Sequence, residues 1–164
     1  MMKIGKRTAL ISLLACVTGS AMAAATFYNP DQLAQFNKTN QCDNCNLSGA
    51  NLSGNHSNAV LTNTSLTGAK GTGTFANSVF YGSNLSSGNW AGANLSYAQM
   101  SYIPLNKTDF TNAELSYANF EGASTRGAIF DNANLYGANI SQQQLDDAKS
   151  YCWAILPNGT TKNC

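Results

Sequence analysis

From Phe75 to Ile140 a large apolar residue stands at every fifth position, fourteen in a row with Thr125 as the one exception. Leu85, Leu95, Leu105, Phe110, Phe120 and Phe130 are typical. Two residues before each stands a small side chain at most positions, as at Ala93, Ala98, Ala113 and Ala118, and only Ile103 is bulky. Five is neither the helical period of 3.6 nor the strand period of 2. No single regular element keeps these residues on one face, but a chain that turns a corner every five residues does. The large residue and the small one then share an interior, and the other three face out. Four such sides close a square coil. Residues twenty apart stack on successive coils, whose backbones pair at about 4.8 Å spacing. Glycine recurs two residues after the large one, as at Gly82, Gly92, Gly122 and Gly137, which suits a corner needing positive φ or close backbone approach.

The units Ala93-Asn94-Leu95-Ser96-Tyr97, Ala118-Asn119-Phe120-Glu121-Gly122 and Ala133-Asn134-Leu135-Tyr136-Gly137 resemble the A-(D/N)-L-x-x unit of pentapeptide repeat proteins. The resemblance covers roughly Cys45 to Gln142 and implies an all-β fold, a right-handed quadrilateral β-helix. A disordered Asn/Ser/Gly-rich tract lacks such a periodic set of buried-type residues. The chain divides into a leader over 1–23, an N-terminal helical cap with a C-x-x-C over 24–44, the repeats over 45–142, and a C-terminal helical cap with a stapled tail over 143–164.

The leader reads as a cleaved export signal. Lys3, Lys6 and Arg7 form a basic start, Thr8 to Val17 an apolar run, and Ala21-Met22-Ala23 a small-x-small cleavage site. The run is too short for a permanent transmembrane helix, and no other membrane-spanning stretch follows. Processing as a lipoprotein at Cys16, after Leu13-Leu14-Ala15, is the weaker alternative. Cleavage after Ala23 delivers a protein with six basic and eight acidic residues, net −2, to a bacterial periplasm or beyond. Charged residues are only 10% of the chain, with Asn, Ser, Thr and Gly in their place, as corners and outer walls of a solenoid require.

Four cysteines remain after cleavage, which suggests disulfides in an oxidising compartment. Three pairings exist on paper. Within the stack that the resemblance implies, Cys42 and Cys45 lie at one end and Cys152 and Cys164 at the other, some 20 Å or more apart at ~4.8 Å per coil. A disulfide needs Cα atoms within ~7 Å, so Cys42–Cys45 and Cys152–Cys164 are expected. The C-x-x-C is read as a staple: no βαβ pattern supports a redox fold, and no second ligand pair supports a metal site.

Asn29-Pro30-Asp31-Gln32 reads as a capped helix start, with a short helix over 30–37 facing Leu33 and Phe36 inward. Ser141-Gln142-Gln143-Gln144 reads as a capping box opening a second helix through Lys149. These would cover the open ends of the stack. The register slips twice, each time losing one residue, within 53–60 and 67–74. His56, the only histidine, falls in the first slip and is read as surface. Thr125 should bond a backbone carbonyl from its interior position. Trp90 is large for its position, with Gly88 making room.

Tyr97 and Tyr117, twenty apart, should stand one above the other, with Tyr136 nearby. Tyr81 and Tyr102 are expected close together on the adjacent wall. The tyrosines form a candidate platform for a protein or glycan partner, against the plainer reading of outward stacking that shields the sheet. The expected function is that of a non-enzymatic exported scaffold or binding protein of the bacterial cell envelope, monomeric or homodimeric, without cofactor or nucleic acid. Some cytoplasmic pentapeptide repeat proteins imitate DNA and inhibit gyrase. That mode needs a long negative surface, whereas the repeats here hold Asp109, Glu114, Glu121 and Asp131 against Lys70, Lys107 and Arg126. No nucleophile–base pairing or phosphate loop supports an enzyme.

Overall fold

A computed structural model describes residues 28–164. The leader, its cleavage site and Cys16 lie outside the described residues. The repeat region is a stack of coils joined by parallel bridges. Two-residue strands β1 (Asn51–Leu52) and β2 (Lys70–Gly71) pair in parallel, and single-residue bridges carry the ladder from Gln41↔Val60 to Asn134↔Ile155. Formal strands are short because each face offers only one ladder residue before the next corner.

The corners have a common construction. The amide of Ala98 bonds the carbonyl of Leu95 at 3.1 Å, closing a turn over Ser96 and Tyr97. In several units the Asn holds that turn from outside: Asn94 Oδ1 accepts from the Ser96 amide, Asn119 Oδ1 from the Glu121 amide, and Asn134 Oδ1 from the Tyr136 amide. The third turn residue has positive φ at nearly every corner, as at Gly92, Asn112 and Asn132, Gly73 being an exception. Glycine and asparagine tolerate that conformation best.

The large residue of every unit from Phe75 to Leu135 is buried, and Ile140 at the end is partly buried. Leu95, Leu115 and Leu135 have no exposed surface and occupy one register, since the Leu95 amide bonds Glu114 O and the Leu115 amide bonds Asn134 O. Phe110 and Phe130, also twenty apart, stack at 5.3 Å with rings 10° from parallel. Each such side chain contributes about 1.5–3 kcal/mol on burial. Thr125 donates its hydroxyl to Gln144 O at 2.6 Å.

Coil length is not uniform. Gln41 pairs with Val60, nineteen residues on; Thr74 pairs with Asn94, twenty on; Ile129 pairs with Ser150, twenty-one on. The two register slips are four-residue faces, Leu52 to His56 and Gly71 to Phe75. His56 and Gly71 therefore take the interior positions where a Leu or Phe stands elsewhere. At the second short face, Gly73 lies so close to the Gly54 carbonyl that a Cβ would come within 2.0 Å of it.

His56 is not a surface residue: it is 4% exposed. Its ring stacks on Phe36 at 4.6 Å and lies 5.1 Å from Phe75, so it is one layer of an interior column. Its Nδ1 is 2.7 Å from Asn40 Oδ1 and its Nε2 3.2 Å from Ser53 O. Burial lowers its pKa below the ordinary histidine value, against the opposing bond to Ser53.

Trp90 is accommodated mainly from the coil before. A Cβ on Gly71 would lie 2.2 Å from the indole, and one on Gly88 2.7 Å from Nε1. The edges of the indole meet Phe75 and Phe80 at 5.0 and 5.7 Å. Among the described residues, its Nε1 is the one buried side-chain polar atom without a hydrogen-bond partner.

Both ends are covered. Helix α1 (Pro30–Thr39) starts on Asn29, whose side chain accepts from the Asp31 and Gln32 amides, and buries Phe36. It runs two residues past the expected 30–37, to Thr39, and the positive φ of Asn40 ends it. Helix α2 (Gln142–Asp147) has the Ser141–Gln144 capping box and buries Leu145. It stops short of Lys149 because the ladder recaptures the chain: the Lys149 amide bonds Ala128 O, and Ser150 bridges Ile129. The tail then folds back, with Ile155 bridging Thr161 antiparallel.

Candidate binding wall

Tyr97 and Tyr117 occupy the third turn position of successive corners, the register position that glycine or asparagine fills at most others. Their φ values are 59° and 58°. A bulky residue pays no less than about 1 kcal/mol for that conformation. The rings stack at 5.0 Å, 10° from parallel, and Tyr136 meets Tyr117 edge-on at 5.6 Å. All three stay about half exposed. The Tyr117 ring lies over Gly137 of the next coil, where a Cβ would approach it to 2.5 Å. Desolvation raises the Tyr117 pKa, and Tyr136 and Tyr97 beside its hydroxyl raise it further.

The next corner along carries Tyr102, again with positive φ (58°) and 67% exposed. It does not pair with Tyr81: its ring leans onto Gly122 of the following coil, and its hydroxyl donates to Glu121 at 2.7 Å. That bond and the adjacent negative charge raise its pKa. Between the two tyrosine corners runs a face whose outer rungs are amides. Asn119 donates to Gln99 Oε1 at 3.4 Å, and Asn139 donates to Asn119 Oδ1 at 3.0 Å. The face ends in a groove of about 350 Å³ under α2, lined by Glu121, Asn139, Ser141 and Gln144 among others.

On the face beyond Tyr97 and Tyr117, Glu114 accepts both bonds of the Asn134 amide. Burial pushes its pKa up, but bonds from Ser116 and Asn134 outweigh it and hold the carboxyl below its usual value.

The cysteines lie apart from this wall. Cys42 joins Cys45 with Cα atoms 5.6 Å apart, and Cys152 joins Cys164 at 5.5 Å. Among the described residues no group of three His, Cys, Asp or Glu side chains is placed to hold a metal ion, and no helix is long and apolar enough to cross a membrane.

The model for pentapeptide repeats matches eight copies across residues 41–74, 75–112 and 113–149. This chain belongs to the pentapeptide repeat family. Pentapeptide repeat proteins fold as right-handed quadrilateral β-helices, in agreement with the four-sided coils described above. A pentapeptide repeat protein of the Arabidopsis thaliana thylakoid lumen is 21% identical over 68% of this chain and 77% of its own, with a TM-score of 0.55. HetL, a pentapeptide repeat protein involved in heterocyst differentiation regulation in the cyanobacterium Nostoc, is 23% identical over 74% of each chain, with a TM-score of 0.27. QnrB1, a plasmid-mediated fluoroquinolone resistance protein, is 18% identical over 76% of each chain, with a TM-score of 0.33. No curated protein sequence matches. Family membership fits a non-enzymatic binding or scaffold protein.

The tyrosine pairing was legible from the twenty-residue spacing. The amide face and the left-handed backbone of Tyr97, Tyr102 and Tyr117 emerge only with the coils assembled, although register carries a signal for the backbone. These tyrosines stand in register with Gly82, Gly92, Gly122 and Gly137.

Proposed function

We propose that this pentapeptide repeat protein is an exported, non-enzymatic binding protein of the bacterial cell envelope, acting through the wall that carries Tyr97, Tyr117 and Tyr136. The observation that carries the reading is the cost of the tyrosine corners. Tyr97, Tyr102 and Tyr117 adopt a left-handed backbone that glycine adopts freely, and their rings remain exposed. Strain retained at an exposed aromatic cluster points to use. Export is supported by the basic-then-apolar start with its Ala23 site and by two disulfides, one at each end of the stack. Near-balance of acids and bases along the repeats argues against a DNA-like surface.

The test is crosslinking in the native envelope with photoreactive groups placed beside Tyr97 and Tyr117, using the wild type and the Tyr97→Gly/Tyr117→Gly variant. Glycine suits both corners, so the variant keeps the fold. A partner captured by the wild type and lost from the variant supports the wall. Identical capture by both overturns it.

A further inference from the structure

Resting on the wall reading above, we infer that the occupant of the wall is an uncharged polysaccharide chain, laid along the Gln99–Asn119–Asn139 face with its end in the groove under α2. Four features of the surface converge on that chemistry.

The face itself is a ladder of carboxamides. Gln99 and Asn139 each keep a donor and an acceptor, and Asn119, whose Oδ1 already accepts from Glu121 and Asn139, keeps a donor; together they match hydroxyls, which both donate and accept. Neighbouring rungs hold one another, Asn119 to Gln99 and Asn139 to Asn119, so their orientation is set before any ligand arrives. The rungs recur at the coil spacing of about 4.8 Å, a regular repeat suited to a regular polymer.

Aromatic rings flank the ladder on both sides. Tyr97 and Tyr117 rise from one corner and Tyr102 from the other. Sugar rings present an apolar face of C–H groups edged by hydroxyls, and exposed aromatic rings bind such faces while their hydroxyls reach the polar edge. The tyrosines are also braced: Tyr97 by Tyr117, Tyr117 by Tyr136, and Tyr102 by Glu121. Little ordering remains to be done on binding.

The ladder is nearly without charge. Among the described residues Glu121 is the one ionisable carboxylate bordering it, and its bond to Tyr102 commits one oxygen. A polyanion would find no cation on this face, and a polycation only one acid. Neutral chemistry is what the surface complements.

The groove gives the wall an end. Its volume, about 350 Å³, is within the range of small-ligand sites. Asn139 belongs both to the ladder and to the groove lining. Its own corner leaves it unspent: at Asn94, Asn119 and Asn134 the Oδ1 accepts the amide two residues on, whereas the Ser141 amide goes to Gln144 Oε1. Among the described residues nothing donates to Asn139 Oδ1.

The experiment uses the mature, disulfide-intact protein in affinity electrophoresis and calorimetry. The probes are β-glucan and N-acetylglucosamine oligosaccharide series of increasing length, with polygalacturonate as the anionic comparator. One neutral series is expected to bind, with affinity rising with length and insensitive to salt. Asn139→Ala should weaken binding about tenfold, and Tyr97→Gly with Tyr117→Gly should weaken it further, roughly a hundredfold. Trp153→Ala, an exposed aromatic at the far corner of the tail, should bind as the wild type. Binding of polygalacturonate alone, binding of no probe, or binding unchanged by Asn139→Ala and the tyrosine pair each overturns the inference. If no glycan binds but envelope crosslinking captures a protein through the tyrosines, the wall stands and its occupant is a protein. If crosslinking is also unchanged in the tyrosine variant, the wall reading falls as well.

Discussion

The fit of Trp90 against Gly71 is the sharpest energetic claim the structure makes. A methyl on Gly71 would sit 2.2, 2.3 and 2.9 Å from three indole carbons, where carbon atoms settle at about 3.5–4.0 Å. The indole would have to retreat by more than ~1 Å into a box closed by Phe75 and Phe80. Gly71→Ala should therefore cost about 1–3 kcal/mol of overpacking, with at most ~1 kcal/mol returned by the stiffer unfolded chain. Trp90→Leu leaves a cavity in the same place and should cost about 2–4 kcal/mol, somewhat below a truncation to alanine. In the Trp90→Leu background the Gly71 methyl enters that cavity, so the second change becomes neutral or stabilising. The coupling energy of the cycle should be about 2–3 kcal/mol in favour of the double variant. Urea unfolding of the disulfide-intact protein, followed by circular dichroism, measures all four corners. Additivity within ~0.5 kcal/mol would refute the claim that the two residues share one interior space.

Three further outcomes are expected. The folded-state pKa of His56 lies below its unfolded value, so between the two the unfolded chain binds more protons, and its contribution to stability falls as pH drops below about 6.5. His56→Leu, the residue of its column at Leu95, should fold and lose that part of the pH dependence; an unchanged stability–pH curve from pH 7 to 5 would contradict it. Tyr97→Gly with Tyr117→Gly exchanges about 1 kcal/mol of backbone strain per site for lost stacking of about 0.5–1.5 kcal/mol, so the melting temperature should move by only a few degrees; a large drop would make the tyrosines structural. Removing the Cys152–Cys164 bridge by paired alanines should cost up to about 3 kcal/mol locally, seen as faster hydrogen exchange at Ile155 and Leu156 with the Leu95–Leu135 layers unchanged; uniform loss of protection along the stack would contradict a tail-specific staple.

The spacing of five carried most of the architecture. Large residues at Leu95, Leu115 and Leu135 need one interior, small ones at Ala93 and Ala113 need the same interior, and only a four-cornered coil gives them both. The helix starts were equally legible, because Asn29-Pro30 and Ser141 with Gln144 act through bonds to amides two or three residues away. Helix ends were less so. Where α2 stops depends on the ladder reclaiming Lys149 and Ser150, a contact with residues twenty-one positions earlier.

His56 and Gly71 show what local reading misses. Each broke the run of large apolar residues, so each looked like an interruption. In the coil each is an interior residue of a four-residue face, His56 stacked between Phe36 and Phe75, and Gly71 vacated for Trp90. The amide wall was hidden for a related reason. Gln99, Asn119 and Asn139 are ordinary unit residues one by one, and become a surface only when coils stack.

The sequence by itself determined the repeat, its inward residues and the helix starts, because each rests on turns and hydrogen bonds spanning a few positions. Tertiary structure alone decided which residues of neighbouring coils share a space or a surface. A one-residue loss in a face shifts every later partner by one position, and only the assembled stack shows which side chain then meets which.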